Sequence, residues 1–181
     1  MKFNSTPIDG CFTIDLEFRE DQRGCFARVF CVDEFGAAGL LTEWAQMNMS
    51  RSLQRGTVRG LHFQRAPNKE VKVVRCTKGT VFDVAVDLRE GSATFGKWFG
   101  IELNDASGQM LYVPEGCAHG FQALTDGAEV AYMCSARYSP ADEGGVFAGD
   151  PKIAVAWPLP LQNLSPRDEA MPHIDDVDPI S

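Results

Sequence analysis

The run Arg59-Gly60-Leu61-His62-Phe63-Gln64 places a fixed cation and a titratable base three positions apart. His62 is one of only three histidines in 181 residues. A neutral imidazole, with an unperturbed pKa of about 6.5, accepts a proton near neutral pH. The surrounding residues are of β type. On a regular strand Arg59, Leu61 and Phe63 share one face and His62 takes the other. Arg59 and His62 therefore serve one site only if the chain bends near Gly60. Lys72 lies in Val71-Lys72-Val73, an alternation that by itself reads as a solvent-facing lysine. Tyr132, in Glu129-Val130-Ala131-Tyr132, reads by itself as a core aromatic with a bonded hydroxyl. A base such as His62 is commonly oriented by a carboxylate on its second nitrogen. The residue pattern alone offers Asp83, on the polar face of an otherwise apolar strand.

The elements that must hold these groups are mostly strands. Alternating or apolar runs lie at 11–18, 25–31, 43–49, 57–64, 69–76, 79–88, 97–104, 109–113, 117–124 and 128–138, punctuated by Gly, Pro, Asn and Asp. Within 80–88, Phe82, Val84, Val86 and Leu88 take one face, and Val81, Asp83, Ala85 and Asp87 the other. A polar inner face of this kind fits a barrel strand that lines a cavity. The first half holds one convincing helix, at 33–41, interrupted by two glycines. About ten short strands predict an all-β sandwich or barrel. Seven of the ten prolines fall after 139, so 139–181 reads as an extended C-terminal extension of a single domain spanning 1–181. A short helix is expected near 166–170, and residues 175–181 are expected to fray.

The net charge of −8 and a sequence pI near 4.8 argue against nonspecific binding to nucleic acid or acidic membranes. An acidic chain that binds an anion must gather cations locally, and the candidates are Arg23, Arg59, Lys72 and Arg167. No apolar leader and no long apolar run is present. The six cysteines form no CxxC pair and read as reduced thiols of a cytoplasmic protein.

Arg59–Gln64, Trp44–Asn48, Lys69–Arg75 and Val113-Pro114-Glu115-Gly116-Cys117-Ala118-His119-Gly120-Phe121 together resemble the dTDP-4-dehydrorhamnose 3,5-epimerase family of sugar-nucleotide cupins. The resemblance runs from about Asp21 to Asp168. It implies a cupin-type double-stranded β-helix, or jelly roll, with few short helices. It implies a homodimer with exchanged N-terminal strands, and a nucleoside-diphosphate 4-keto-6-deoxy sugar as substrate, with no cofactor. On the matching positions, His62 is the base, Asp168 its orienting carboxylate, Lys72 the cation near the keto oxygen and Tyr132 the proton donor. Substrate contacts fall to Arg23, Gln46, Asn48, Arg59, Lys72, His119, Glu143 and Arg167. Pro114-x-Gly116-x-x-His119 looks like the second cupin motif. The first offers one histidine where metal cupins show HxH, so no metal site is expected.

The match departs at two places. Arg28 stands where the family commonly has a glutamate near the nucleotide, and Phe147-Ala148-Gly149-Asp150 replaces a segment that usually carries a tryptophan. The chemistry of proton removal is thus better specified than the choice of nucleotide or sugar. Three rivals stand beside the main reading: a mono-epimerase or ketoisomerase, a cupin that only binds a nucleotide sugar, and a metal cupin.

Overall fold

The computed structural model describes residues 1–181. Two antiparallel sheets face each other, as the sequence pattern predicts. The six-stranded sheet runs β1 (Lys2–Ser5), β2 (Phe12–Asp15), β10 (Met110–Val113), β7 (Lys72–Lys78), β12 (Ala128–Cys134) and β5 (Gln46–Ser52). The five-stranded sheet runs β13 (Glu143–Gly145), β6 (Val58–Gln64), β11 (Cys117–Ala123), β8 (Thr80–Asp87) and β9 (Trp98–Asn104). A separate hairpin, β3 (Arg19–Asp21) with β4 (Gly24–Phe26), is exposed at every residue.

Strand alternation builds the layers. The inward row of β8, Val81 and Ala85, packs between the sheets with Val74, Cys76, Leu111, Phe121 and Val130. Its outward row, Val84 and Val86, packs under the C-terminal segment against Leu61, Val146, Ile153 and Ile174. On the far side, helix α1 (Val32–Ala37) lays Phe35 over Ile14, Val73, Met110 and Tyr112. Each such fully buried side chain contributes roughly 1.5–3 kcal/mol. These clusters fix the strands that carry the site.

Several boundaries differ from the sequence reading. The expected strand at 25–31 pairs only at Gly24–Phe26, because the hairpin has no sheet to continue into. The expected helix at 33–41 ends at Ala37, and Gly39 (φ +71°) turns the chain away. The short strands β1 and β13 are too brief and polar to show a period. The tail does not fray: Ile180 N–H donates to Leu88 O at 2.7 Å and its carbonyl accepts from Glu90 N–H at 2.9 Å. Helix α2 (Pro166–Glu169) forms where expected. Ser165 Oγ caps it by accepting from Asp168 N–H at 3.1 Å, and proline suits its first turn. No helix is long and apolar enough to cross a membrane.

Candidate active site

The bend required at Gly60 is present. On β6 and β11, His62 pairs with His119, while Arg59 pairs with Phe121. Gly60 and Leu61 thus oppose Gly120 alone, which is a β-bulge. Gly60 has φ +116°, and a Cβ there would lie 2.6 Å from the Gly120 Cα. Only glycine fits both positions. The extra residue turns Arg59 and His62 to the same side, and both line one cavity of ≈ 490 Å³.

His62 Nε2 lies 2.7 Å from Asp168 Oδ1. Asp168 is 106 residues away in sequence and reaches His62 on α2. Burial opposes its ionisation, but His62, the Ser165 hydroxyl and the Gly60 backbone hold the carboxyl below its ordinary range. An ionised Asp168 accepts from Nε2–H, which leaves Nδ1 as the proton acceptor. Asp83, the carboxylate favoured by residue pattern alone, serves the other histidine. Its Oδ1 lies 2.9 Å from His119 Nε2, and its Oδ2 is buried without a partner. The third histidine, His173, pairs with Asp150 at 3.0 Å.

Lys72 and Tyr132 come from the opposite wall, on β7 and β12, and line the same cavity. Lys72 is buried rather than solvent-facing, because its face of β7 points between the sheets with Val74 and Cys76. Its ammonium pairs with Glu70, a residue the sequence reading did not single out. Desolvation, followed by the Cys134 and Glu70 charges, raises the Tyr132 hydroxyl above the usual tyrosine range, so it stays protonated.

The expected substrate contacts divide. Arg59, His119 and Arg167 line the cavity. Arg59 donates to Ser52 Oγ at 3.2 Å and to the Arg51 carbonyl at 3.0 Å. Glu143 lies behind Arg167, binding its Nη2 at 2.8 Å and accepting from the Tyr138 hydroxyl at 2.7 Å. Gln46 and Asn48 share an inward face of β5 with the cavity-lining Ser50 but do not line the cavity themselves. Gln46 accepts from Tyr138 N–H, and Asn48 sits 3.9 Å from Cys134 Sγ. Arg23 stands apart at the hairpin turn, its side chain 90% exposed and paired with Asp21. Arg28 is also outside the cavity, 3.3 Å from Glu34. At the second departure, Asp150 accepts from the backbone N–H groups of Lys152, Ile153 and Ile174 and so anchors the tail. Thr57, Asn163 and Ser165 complete the polar lining; the sequence reading gave none of them a site role, with Thr57 opening the expected strand at 57–64 and the other two in the extended C-terminal segment.

Residues 5–176 match the family model described as dTDP-4-dehydrorhamnose 3,5-epimerase. The chain belongs to this family. It is 45% identical to a dTDP-4-dehydrorhamnose 3-epimerase of Streptomyces niveus, over 93% of this chain and 82% of that one. It is 43% identical to the dTDP-4-dehydrorhamnose 3,5-epimerase of Mycobacterium tuberculosis, over 98% of this chain and 89% of that one. Among solved structures, it superposes on the dTDP-6-deoxy-D-glucose-3,5-epimerase of Legionella pneumophila, in complex with dTDP-4-keto-L-rhamnose, with a TM-score of 0.92. Identity there is 37%, and 98% of this chain and 94% of that one are covered. The fold is accordingly the cupin-type jelly roll of these epimerases.

Proposed function

We propose that the chain epimerises dTDP-4-dehydro-6-deoxyglucose at C3 and C5 without an added cofactor, in deoxysugar biosynthesis of the rhamnose type. One observation carries the reading: His62, backed by Asp168 from α2, and the residues Lys72 and Tyr132 enter one cavity from opposite sheets. Inversion needs a base on one face of the sugar and an acid on the other, and a single histidine cannot reach both.

The C4 ketone acidifies the protons at C3 and C5. His62 Nδ1 takes one, and electron density moves onto the C4 oxygen as the enolate forms. The Lys72 ammonium stabilises that oxyanion, a contribution of typically about 10²–10³ in rate for one such donor. Tyr132 then returns a proton to the carbon from the opposite face. Both groups recover their starting states by exchange with water. Arg59 and Arg167 supply the charge for the diphosphate, and a guanidinium binds phosphate oxygens bidentately.

A second reading, a mono-epimerase acting at C3 alone, is favoured by the likeness to the Streptomyces niveus 3-epimerase. One experiment separates the two. In D₂O with dTDP-4-dehydro-6-deoxyglucose, deuterium entering both C3 and C5 supports the 3,5-epimerase. Entry at C3 alone supports the mono-epimerase, and no entry at either carbon rejects both.

We further infer a cytoplasmic homodimer. Six thiols suit a reducing compartment. Met47 and Met49, on the outer face of edge strand β5, and Phe26, on the same hairpin as Arg23, are exposed. A second copy covering them would bring Arg23 of each chain to the other's cavity. Mixing inactive Arg23→Ala and His62→Ala chains should then restore turnover. Mixtures as inactive as the separate variants would count against the shared site.

A further inference from the structure

Glu70 has no part in the proton transfers above, yet it is placed among the groups that perform them. Glu70 lies two residues before Lys72, the first residue of β7, and the two side chains meet on one face. Both side chains are only 11% exposed, and they form an ion pair at the cavity wall. The chain is pinned on either side of Glu70's neighbour: Val71 N–H donates to Ser135 Oγ at 2.8 Å, and Ser135 N–H donates to the Val71 carbonyl at 3.0 Å. Cys134, opposite Lys72 on β12, is close enough to feel the Glu70 charge. The other cavity cations are also held in place, each by partners of its own. Arg59 is bonded to a hydroxyl and a carbonyl, and Arg167 to Glu143.

We infer that Glu70 is a positioning residue, fixing the Lys72 ammonium at the place where the enolate oxygen forms. This rests on the epimerase reading above. A lysine has a flexible four-carbon stem and a single strongly hydrated charge, so an unpartnered ammonium would sample many rotamers. An ammonium has three N–H donors, and one carboxylate oxygen occupies one of them. The other two remain for the substrate. A carboxylate also offsets the cost of holding a cation in a mostly buried place. Because the contact is made before the substrate arrives, its benefit falls on the step in which charge develops rather than on binding of the nucleotide.

The test follows deuterium entry at C3 and C5 in D₂O, with KM determined in parallel. Glu70→Ala should lower the entry rate at saturating substrate at least about tenfold and leave KM within about twofold. Glu70→Gln keeps an oxygen that accepts from Lys72 Nζ, and should recover most of the lost rate. In a Lys72→Ala background, Glu70→Ala should cost nothing further. Entry at the wild-type rate in a folded Glu70→Ala protein overturns the inference. So does a rise in KM alone, a Gln variant as slow as the Ala variant, or a full additional loss in the Lys72→Ala background. The unmodified protein is the control: if it fails to exchange either proton, the epimerase reading fails, whatever the variants do.

Discussion

Two histidine–aspartate pairs sit side by side in this molecule, and their surroundings divide the labour between them. His62 and His119 are direct cross-strand neighbours on β6 and β11. Each has a carboxylate within hydrogen-bond reach, at 2.7 Å for His62 and 2.9 Å for His119. The His62 side chain is 31% exposed, whereas His119 is 9% exposed and its Asp83 fully buried. Asp83 comes from the adjacent strand of the same sheet, so its pair belongs to the sheet itself. Asp168 comes from a capped helix in the tail, laid across the cavity mouth. The same two side chains thus make an accessible pair in one place, which we propose holds the base, and a rigid wall pair in the other. Access and the origin of the carboxylate, rather than residue type, set the role.

The largest expected effect breaks the pairs apart functionally. His62→Ala should stop deuterium entry at both carbons, a loss of at least about 10²–10⁴. His119→Ala should leave entry readily measurable and act mainly on KM. If the two variants lose exchange equally, the division of labour proposed here is wrong. Tyr132→Phe sharpens the same contrast from the opposite wall. It should retain partial exchange, since His62 can return a deuteron to the face it left, while losing inverted product. NMR of the recovered sugar reads both quantities.

A smaller effect is expected where both pairs stay intact. Arg59→Ala removes a charge-assisted contact to the diphosphate and should weaken binding by about 1.5–3 kcal/mol. The deuterium entry rate at saturation should stay near wild type. An unchanged KM in a folded variant would remove Arg59 from the anion site.

The smallest effect concerns stability. Asp168 is held below its ordinary range in the folded state. A depressed carboxylate stabilises the fold above its unfolded pKa of about 3.9, and that contribution is lost as pH falls through the lower folded value. Denaturant unfolding of wild type should therefore show stability falling as pH drops below about 4. Asp168→Asn should flatten that decline. An identical pH slope in the two proteins would mean that the pair contributes nothing to acid sensitivity.

Much of the sandwich was legible because strand alternation survives in the sequence. The two faces of 80–88 separate in the molecule as the alternation predicts, but the face with Asp83 packs into the inter-sheet core instead of lining the cavity, and the other lies beneath the tail. The bend at Gly60 was legible from a conflict, since a straight strand would have parted Arg59 from His62. Residue pattern alone chose Asp83 because it sees local periodicity, and no period connects positions 106 residues apart. The family resemblance pointed to Asp168. Lys72 misled by the same logic: alternation shows which residues share a face, but not whether that face meets water or a second sheet. Arg23 carried a substrate role by resemblance, and the geometry leaves it outside its own chain's cavity. The proposed completion of the site by a second copy would leave no spacing within one chain.

The docking of α2 has a consequence for the life of the molecule. His62 leaves the ribosome long before Asp168, and the strands bearing His62, Lys72 and Tyr132 all precede the tail. A product truncated before α2 would keep most of the pocket wall yet lack the carboxylate that sets its imidazole. On the proposed mechanism such a fragment would lack an oriented base. Because the orienting carboxylate follows the histidine by 106 residues, the proposed chemistry waits on the docking of α2.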